Sequence, residues 1–164
     1  MSGLKEKILA ETKTAMKGID ALRLSTLRML ASALHNREIA KRTKLVKEKS
    51  DLAEKDWQLA EEETIAAVQS EVKKRKEAAG QYQKGGRPEL VQKEEAEIKI
   101  LSEFLPPQLS EAEIESKVKA VVERLTLSGQ LNQGKIMKEV MAEIGARADG
   151  VVVAKLVGQI LSQR

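Results

Sequence analysis

EVKKRKEAAGQYQKGGRPELVQKEEAEIKILSEFLPPQLS, residues 71–110, holds two helical periodicities on either side of a glycine pair and ahead of a proline pair. Going back from Tyr82, the positions Ala79, Arg75, Val72, Val68 and Ile65 step by threes and fours, the signature of one helix face. Val91, Glu94, Ile98, Leu101 and Leu105 step the same way after Lys84-Gly85-Gly86-Arg87-Pro88. Glycine accepts the left-handed conformation that ends a helix, and proline fits the first turn of the next. The stretch therefore predicts two helices folded back on each other. Pro106-Pro107 stop the second arm, because proline lacks the amide and clashes with the preceding turn. Each stripe holds one charge, Arg75 and Glu94. Folding about Gly85-Gly86 brings them within about one helical turn of each other, which predicts a partly buried ion pair that fixes register.

Working outward from the hairpin, the composition is that of packed helices: aromatic residues make up 2% of the 164, and cysteine is absent. The absence of cysteine excludes disulfides, thiolate metal sites and a cysteine nucleophile. No long apolar run opens the chain, so neither a signal peptide nor a membrane span is expected, and the expected location is cytoplasmic. The net charge of +4 is unevenly spread. Residues 1–50 carry 12 Lys/Arg against 5 Asp/Glu, whereas residues 51–70 carry 1 against 6. The basic excess sits in the first third, where a phosphate-binding face competes with an ordinary solvated helix surface.

Leu4, Ile8, Ala15 and Ile19 predict a first amphipathic helix over about Ser2–Lys17, ended by Gly18. Asp20 is placed to cap a second helix over residues 21–44, with Leu24, Leu27, Ala31 and Leu34 inward and Leu30 and Met29 widening that stripe. Arg23 and Arg28 flank that stripe, and Asn36, Arg37, Lys41, Arg42 and Lys44 follow. Lys44 to Glu63 is densely charged, weakly periodic and holds the only tryptophan, Trp57. Beyond the prolines, Ser110 and Glu113 have the spacing of a capping box. Three short helices follow, carrying Ile114, Val118, Val121, Val122 and Leu125, then Ile136, Met137, Val140, Met141 and Ile144, then Val152, Val153, Leu156, Val157, Ile160 and Leu161. Ser128-Gly129 and Gly145 separate them, and Asp149 caps the last. The expected fold is all-α: an N-terminal helical domain with a long hairpin over residues 1–106, and a C-terminal three-helix domain over residues 107–164.

No motif carries catalytic chemistry. His35 is the only histidine and has no cysteine or spaced carboxylate to position it as a base. No metal-ligand spacing and no phosphate loop occur, so no catalytic residue, metal or cofactor is expected.

RLSTLRMLASALHNREI (23–39), EVKKRKEAAGQY (71–82), GGRPELVQKEEAEIKILSEFLPPQLSEAEI (85–114) and GKIMKEVMAEIGARADGVVVAKLVGQIL (134–161) resemble the YqeY-like proteins. These are stand-alone relatives of the tail region of the GatB subunit of the aspartyl/glutamyl-tRNA amidotransferase. The chain departs from the pattern at Ala78, where serine is usual, and over Leu45–Ala60, which is longer and more charged. The resemblance implies an all-helical protein that binds tRNA, with the amidotransferase or other translation proteins as partners. The family's associated activity is carbon–nitrogen ligation with glutamine as amide donor, and this chain has only the tail-like part, so it would not be catalytic alone.

With so few aromatics, recognition would rest on phosphates and RNA shape rather than base stacking. The expected contacts are Gly134 and Lys135 at a helix N-terminus, Lys138 one turn along, Arg147 in the following loop, and Arg28, Lys41 and Lys74 in the N-terminal domain. The alternative from a different class is a protein–protein adaptor with no nucleic-acid ligand, using an apolar groove around Phe104 and Leu105.

Overall fold

The computed structural model describes residues 3–48 and 51–162, and among these it is all-helical, with no strand. The chain divides into two compact units, one running up to Leu105 and the other from Pro106 onward.

The first unit comprises α1 (Leu4–Ala15), α2 (Ala21–Val46), the single turn α3 (Glu54–Trp57), α4 (Glu61–Lys84) and α5 (Pro88–Ser102). Of the expected first helix, Ser2 lies outside the described residues, and the helix ends at Ala15, with turns continuing to Gly18. Asp20 caps α2 by accepting the Arg23 amide at 2.8 Å. In the segment that periodicity left unread, acids make the helix starts: Asp56 accepts the Ala53 amide at 3.0 Å and Glu63 accepts the Ala60 amide at 2.7 Å. α4 and α5 form the long hairpin. At its tip Gly86 takes φ +66°, and the Arg87 amide returns to the Tyr82 carbonyl at 2.9 Å, the bond pattern of a glycine-terminated helix. The apolar core of this unit gathers Ile8, Leu27, Leu30, Leu34, Ala67, Val68, Val72, Leu101 and Phe104.

The inward face of α5 is one residue round from the expected stripe. Glu97, Leu101 and Phe104 are buried, whereas Val91, Glu94, Ile98 and Leu105 are half-buried. Arg75 is buried as expected, but its Nε donates to Glu97 Oε2 at 2.7 Å, not to Glu94. The reason is register: Arg75 and Glu97 are equidistant along the chain from Gly86, about which the arms fold. Arg75 also lies 3.4 Å from Glu71 Oε2, and Lys74 Nζ meets the other Glu71 oxygen at 2.7 Å. Side-chain exposures of 7% for Arg75, 8% for Glu97 and 10% for Glu71 make this a desolvated cluster. No buried side-chain nitrogen or oxygen among the described residues lacks a hydrogen-bond partner.

The second unit comprises α6 (Glu111–Leu127), α7 (Gln133–Ile144), a short 3₁₀ turn (Gly145–Arg147) and α8 (Gly150–Ser162). Ser110 and Glu113 form the capping box: the Ser110 amide donates to Glu113 Oε2 at 2.8 Å, and the Glu113 amide to Ser110 Oγ at 3.3 Å. Asp149 caps α8 through the Val151 amide at 3.0 Å. The core is built from Ile114, Val118, Val121, Val122, Leu125, Ile136, Val140, Ile144, Val153 and Val157, with Leu156 and Ile160 at its edge. Thirteen buried residues in so short a stretch indicate a small, separate core.

Candidate nucleic-acid interface

Each expected RNA contact has a definite place. Gly134, Lys135 and Lys138 lie on the first turns of α7, and Arg147 follows its far end. A helix of 12 residues is roughly 18 Å long, so these groups do not form one cluster. The Gly134 amide is already engaged, donating to Asn132 Oδ1 at 2.8 Å. A Cβ at Gly134 would come 3.2 Å from that same oxygen, so the glycine makes room for the cap. Lys135 Nζ donates to Gln130 Oε1. Arg147 points its Nε at the Pro107 carbonyl, 3.4 Å away, and contributes to holding the Glu113 carboxyl below its ordinary range, behind the amide and hydroxyl of Ser110.

In the first unit, two of the three expected contacts are tied to acids. Lys41 Nζ meets Glu63 Oε2 at 2.6 Å and the Gln58 carbonyl at 3.0 Å, fastening α2 to the start of α4. Lys41, followed by the Ala60 amide, holds the Glu63 carboxyl below its ordinary value. Lys74 pairs with Glu71 within α4. Arg23, on the flank of the α2 stripe, pairs with Glu11 at 2.5 Å and Glu103 at 2.9 Å. Arg28 is the expected contact that remains exposed, with no carboxylate in ion-pair range among the described residues.

Arg28 does not stand alone on α2. The helix has 26 residues and one carboxylate, Glu38, which is buried. Lys5 Nζ meets Glu38 Oε1 at 2.6 Å, and the Leu59 amide donates to the same oxygen at 3.1 Å. The outward face of α2 is therefore free of acid. It carries exposed Arg28, Arg42 and Lys44, with exposed Lys47 on the cap residue and half-buried Arg37 at its flank, and none of these has an ion-pair partner among the described residues. The Arg42 guanidinium lies 5.7 Å from the centre of the Trp57 ring, so the lone tryptophan steadies a cation and offers no platform for stacked bases. The sequence marks most of these cations. It does not mark which of them are neutralised, because the acids that do so come from other helices.

Phe104, placed by the sequence in an exposed apolar groove, is buried in the core of the first unit beneath Lys7, whose Nζ is 5.7 Å from the ring centre. Among the described residues no group of three or more His, Asp or Glu side chains could hold a metal ion. No helix there is long and apolar enough to cross a membrane.

Comparison with known proteins places the chain in a family. The model of the family described as Yqey-like protein matches residues 5–161. Among curated relatives, "Altered inheritance of mitochondria protein 41, mitochondrial" of Pyrenophora tritici-repentis (strain Pt-1C-BFP) is 25% identical over 161 residues, covering 96% of this chain and 81% of that protein. The protein of the same name from Lachancea thermotolerans (strain ATCC 56472 / CBS 6340 / NRRL Y-8284) is 33% identical over 121 residues, covering 72% of this chain and 57% of its own length. With a family model spanning nearly its whole length, the chain belongs to the Yqey-like proteins.

Proposed function

We propose that this protein is a non-catalytic helical module that binds tRNA through the outward face of α2. The observation that carries the reading is the acid-free face: five cations without ion-pair partners along a helix whose sole carboxylate is turned into the core. The α2 helix is roughly 39 Å long, so the cations span several phosphates of a polynucleotide. Association with a tRNA amidotransferase, and with it a link to glutamine-dependent carbon–nitrogen ligation, rests on the family resemblance alone and belongs to the same proposal. A cytoplasmic location is likewise a proposal here. The word "mitochondrial" describes the two fungal relatives, and fractionation of the native protein decides the compartment here.

The test is binding of the full chain to bulk tRNA over a salt series. Five phosphate contacts give a slope of about −3.5 to −4.5 in log K against log salt, a loss of roughly 130- to 500-fold between 50 and 200 mM. An Arg28→Glu/Arg42→Glu/Lys44→Glu variant should lose most of that binding and flatten the slope. Binding indifferent to salt, or unchanged in the variant, would refute the reading. A Lys135→Glu/Arg147→Glu variant run alongside reports on the second unit, and loss confined to that variant would move the site there.

A further inference from the structure

The cations on α2 are ordered. Arg28 and Arg42, with His35 between them, recur at two-turn intervals and form one row along the helix. Arg37 and Lys44 form a second row on the opposite flank of the exposed face. Between the rows runs a strip of Met29, Ser32, Asn36, Ile39, Thr43 and Val46, stepping by threes and fours. The strip is accessible: Met29 is 55%, Ile39 49% and Val46 56% exposed. Ser32 and Asn36 make no side-chain hydrogen bond among the described residues, and Thr43 Oγ1 bonds only back to the Ile39 carbonyl at 2.8 Å. Ala33 and Ala40 add no bulk beside it.

We propose that this face lies along the shallow groove of an A-form RNA duplex, its two cation rows on the phosphates either side and its neutral strip on the riboses between. The inference rests on the tRNA reading above and names the structure within the RNA that is recognised. The two rows are separated by about the diameter of a helix, 10–12 Å, which suits a helix seated between two phosphate strands rather than one following a single strand. The strip selects the groove. Reading the deep major groove of B-form DNA needs side chains that reach base edges, and the strip's polar groups are short. The minor groove of A-form RNA is wide and shallow and displays 2′-hydroxyls, which the Ser32 and Thr43 hydroxyls and the Asn36 amide can meet as donor or acceptor. Exposed Met29, Ile39 and Val46 lie against the apolar faces of the sugars. The charge pattern disfavours a second copy of this helix as occupant, since antiparallel pairing would set Arg28 against the other copy's Arg42.

The experiment compares the full chain on an RNA duplex, a DNA duplex of the same sequence, and the single RNA strand. The wild type should prefer the RNA duplex by at least about tenfold over either. A Ser32→Ala/Asn36→Ala/Thr43→Ala variant should bring RNA and DNA duplexes within about threefold of each other while keeping the salt slope. Asn36→Trp, which fills the strip, should abolish duplex binding and spare the single strand. Equal binding to all three polymers that is lost in the Arg28/Arg42/Lys44 charge reversal would overturn the groove proposal and leave the tRNA reading standing. Binding to none would overturn both. Competition by polyglutamate as effective as that by RNA duplex at equal charge would assign the face to an acidic protein and overturn the proposal.

Discussion

Replacing Arg75 with methionine keeps the length of the stem and removes the charge that two buried carboxylates share. Glu97 then has no cation in ion-pair range among the described residues, while Glu71 retains Lys74 at 2.7 Å. Stranding a buried carboxylate costs about 3–5 kcal/mol, so Arg75→Met should be the most destabilising single change in the cluster. Glu97→Gln keeps the volume and one acceptor, and Arg75 still has Glu71 at 3.4 Å; its cost is about 2 kcal/mol, that of a weakened charged hydrogen bond. Arg75→Met/Glu97→Leu removes both charges and packs the gap with apolar groups, and should fall within about 1 kcal/mol of the wild type. The assay is urea unfolding of the full chain followed by the fluorescence of Trp57, the only tryptophan, which sits in the first unit. Circular dichroism run in parallel shows whether the two units melt together. With Glu97→Leu measured as the second single variant, the reasoning fails if the double variant loses the sum of the Arg75→Met and Glu97→Leu losses, because coupled charges must fall short of additivity by at least about 2 kcal/mol.

At the hairpin tip, Gly86→Ala should cost about 1–2 kcal/mol through its positive φ alone, since nothing lies within 4 Å of the added Cβ. Gly85→Ala, at φ −81°, should cost less, and equal losses in the two would contradict the turn geometry. Acid should weaken the first unit in a predictable direction. Hydrogen bonding to Lys41 holds Glu63, and hydrogen bonding to Arg23 holds Glu103, below the ordinary value of 4.5. Their contribution is thus present in full above that value and is lost as pH falls through the lower folded-state values. Both groups are largely open to solvent, so the loss is small. Lys41→Met should make the acid limb of a stability profile shallower, and stability that rises on acidification would contradict this assignment.

Periodicity and punctuation made much of the fold legible. Gly85-Gly86, Pro106-Pro107, Asp20 and the Ser110–Glu113 pair each stop or start a helix by local chemistry, which a single sequence displays. What remained hidden depends on partners far along the chain. Glu97 lies off the apolar stripe that runs through Glu94, yet Arg75 draws it inward across the hairpin. Lys41 reads as a free cation because Glu63 lies 22 residues away. Glu38 reads as one more charge on a basic helix, and only the fold shows that α2 carries its single acid inside. The α2 face was therefore visible as a set of basic letters but not as a surface, since that requires knowing which letters are neutralised.

The two bonds that Glu38 makes also bear on chain length. The carboxylate receives the Leu59 amide, while Lys41 and the Ala60 amide meet Glu63, so the end of the connection between α2 and α4 is pinned before α4 begins. Chain upstream of that pin can grow without moving α4, because the entropy of closing a flexible loop rises only by about 0.6 kcal/mol for each doubling of its length. The charge-rich Leu45–Ala60 segment is where this anchoring would absorb a change of length. Exposed Asp51 is accordingly where a reporter peptide can be spliced in while the hairpin keeps its register.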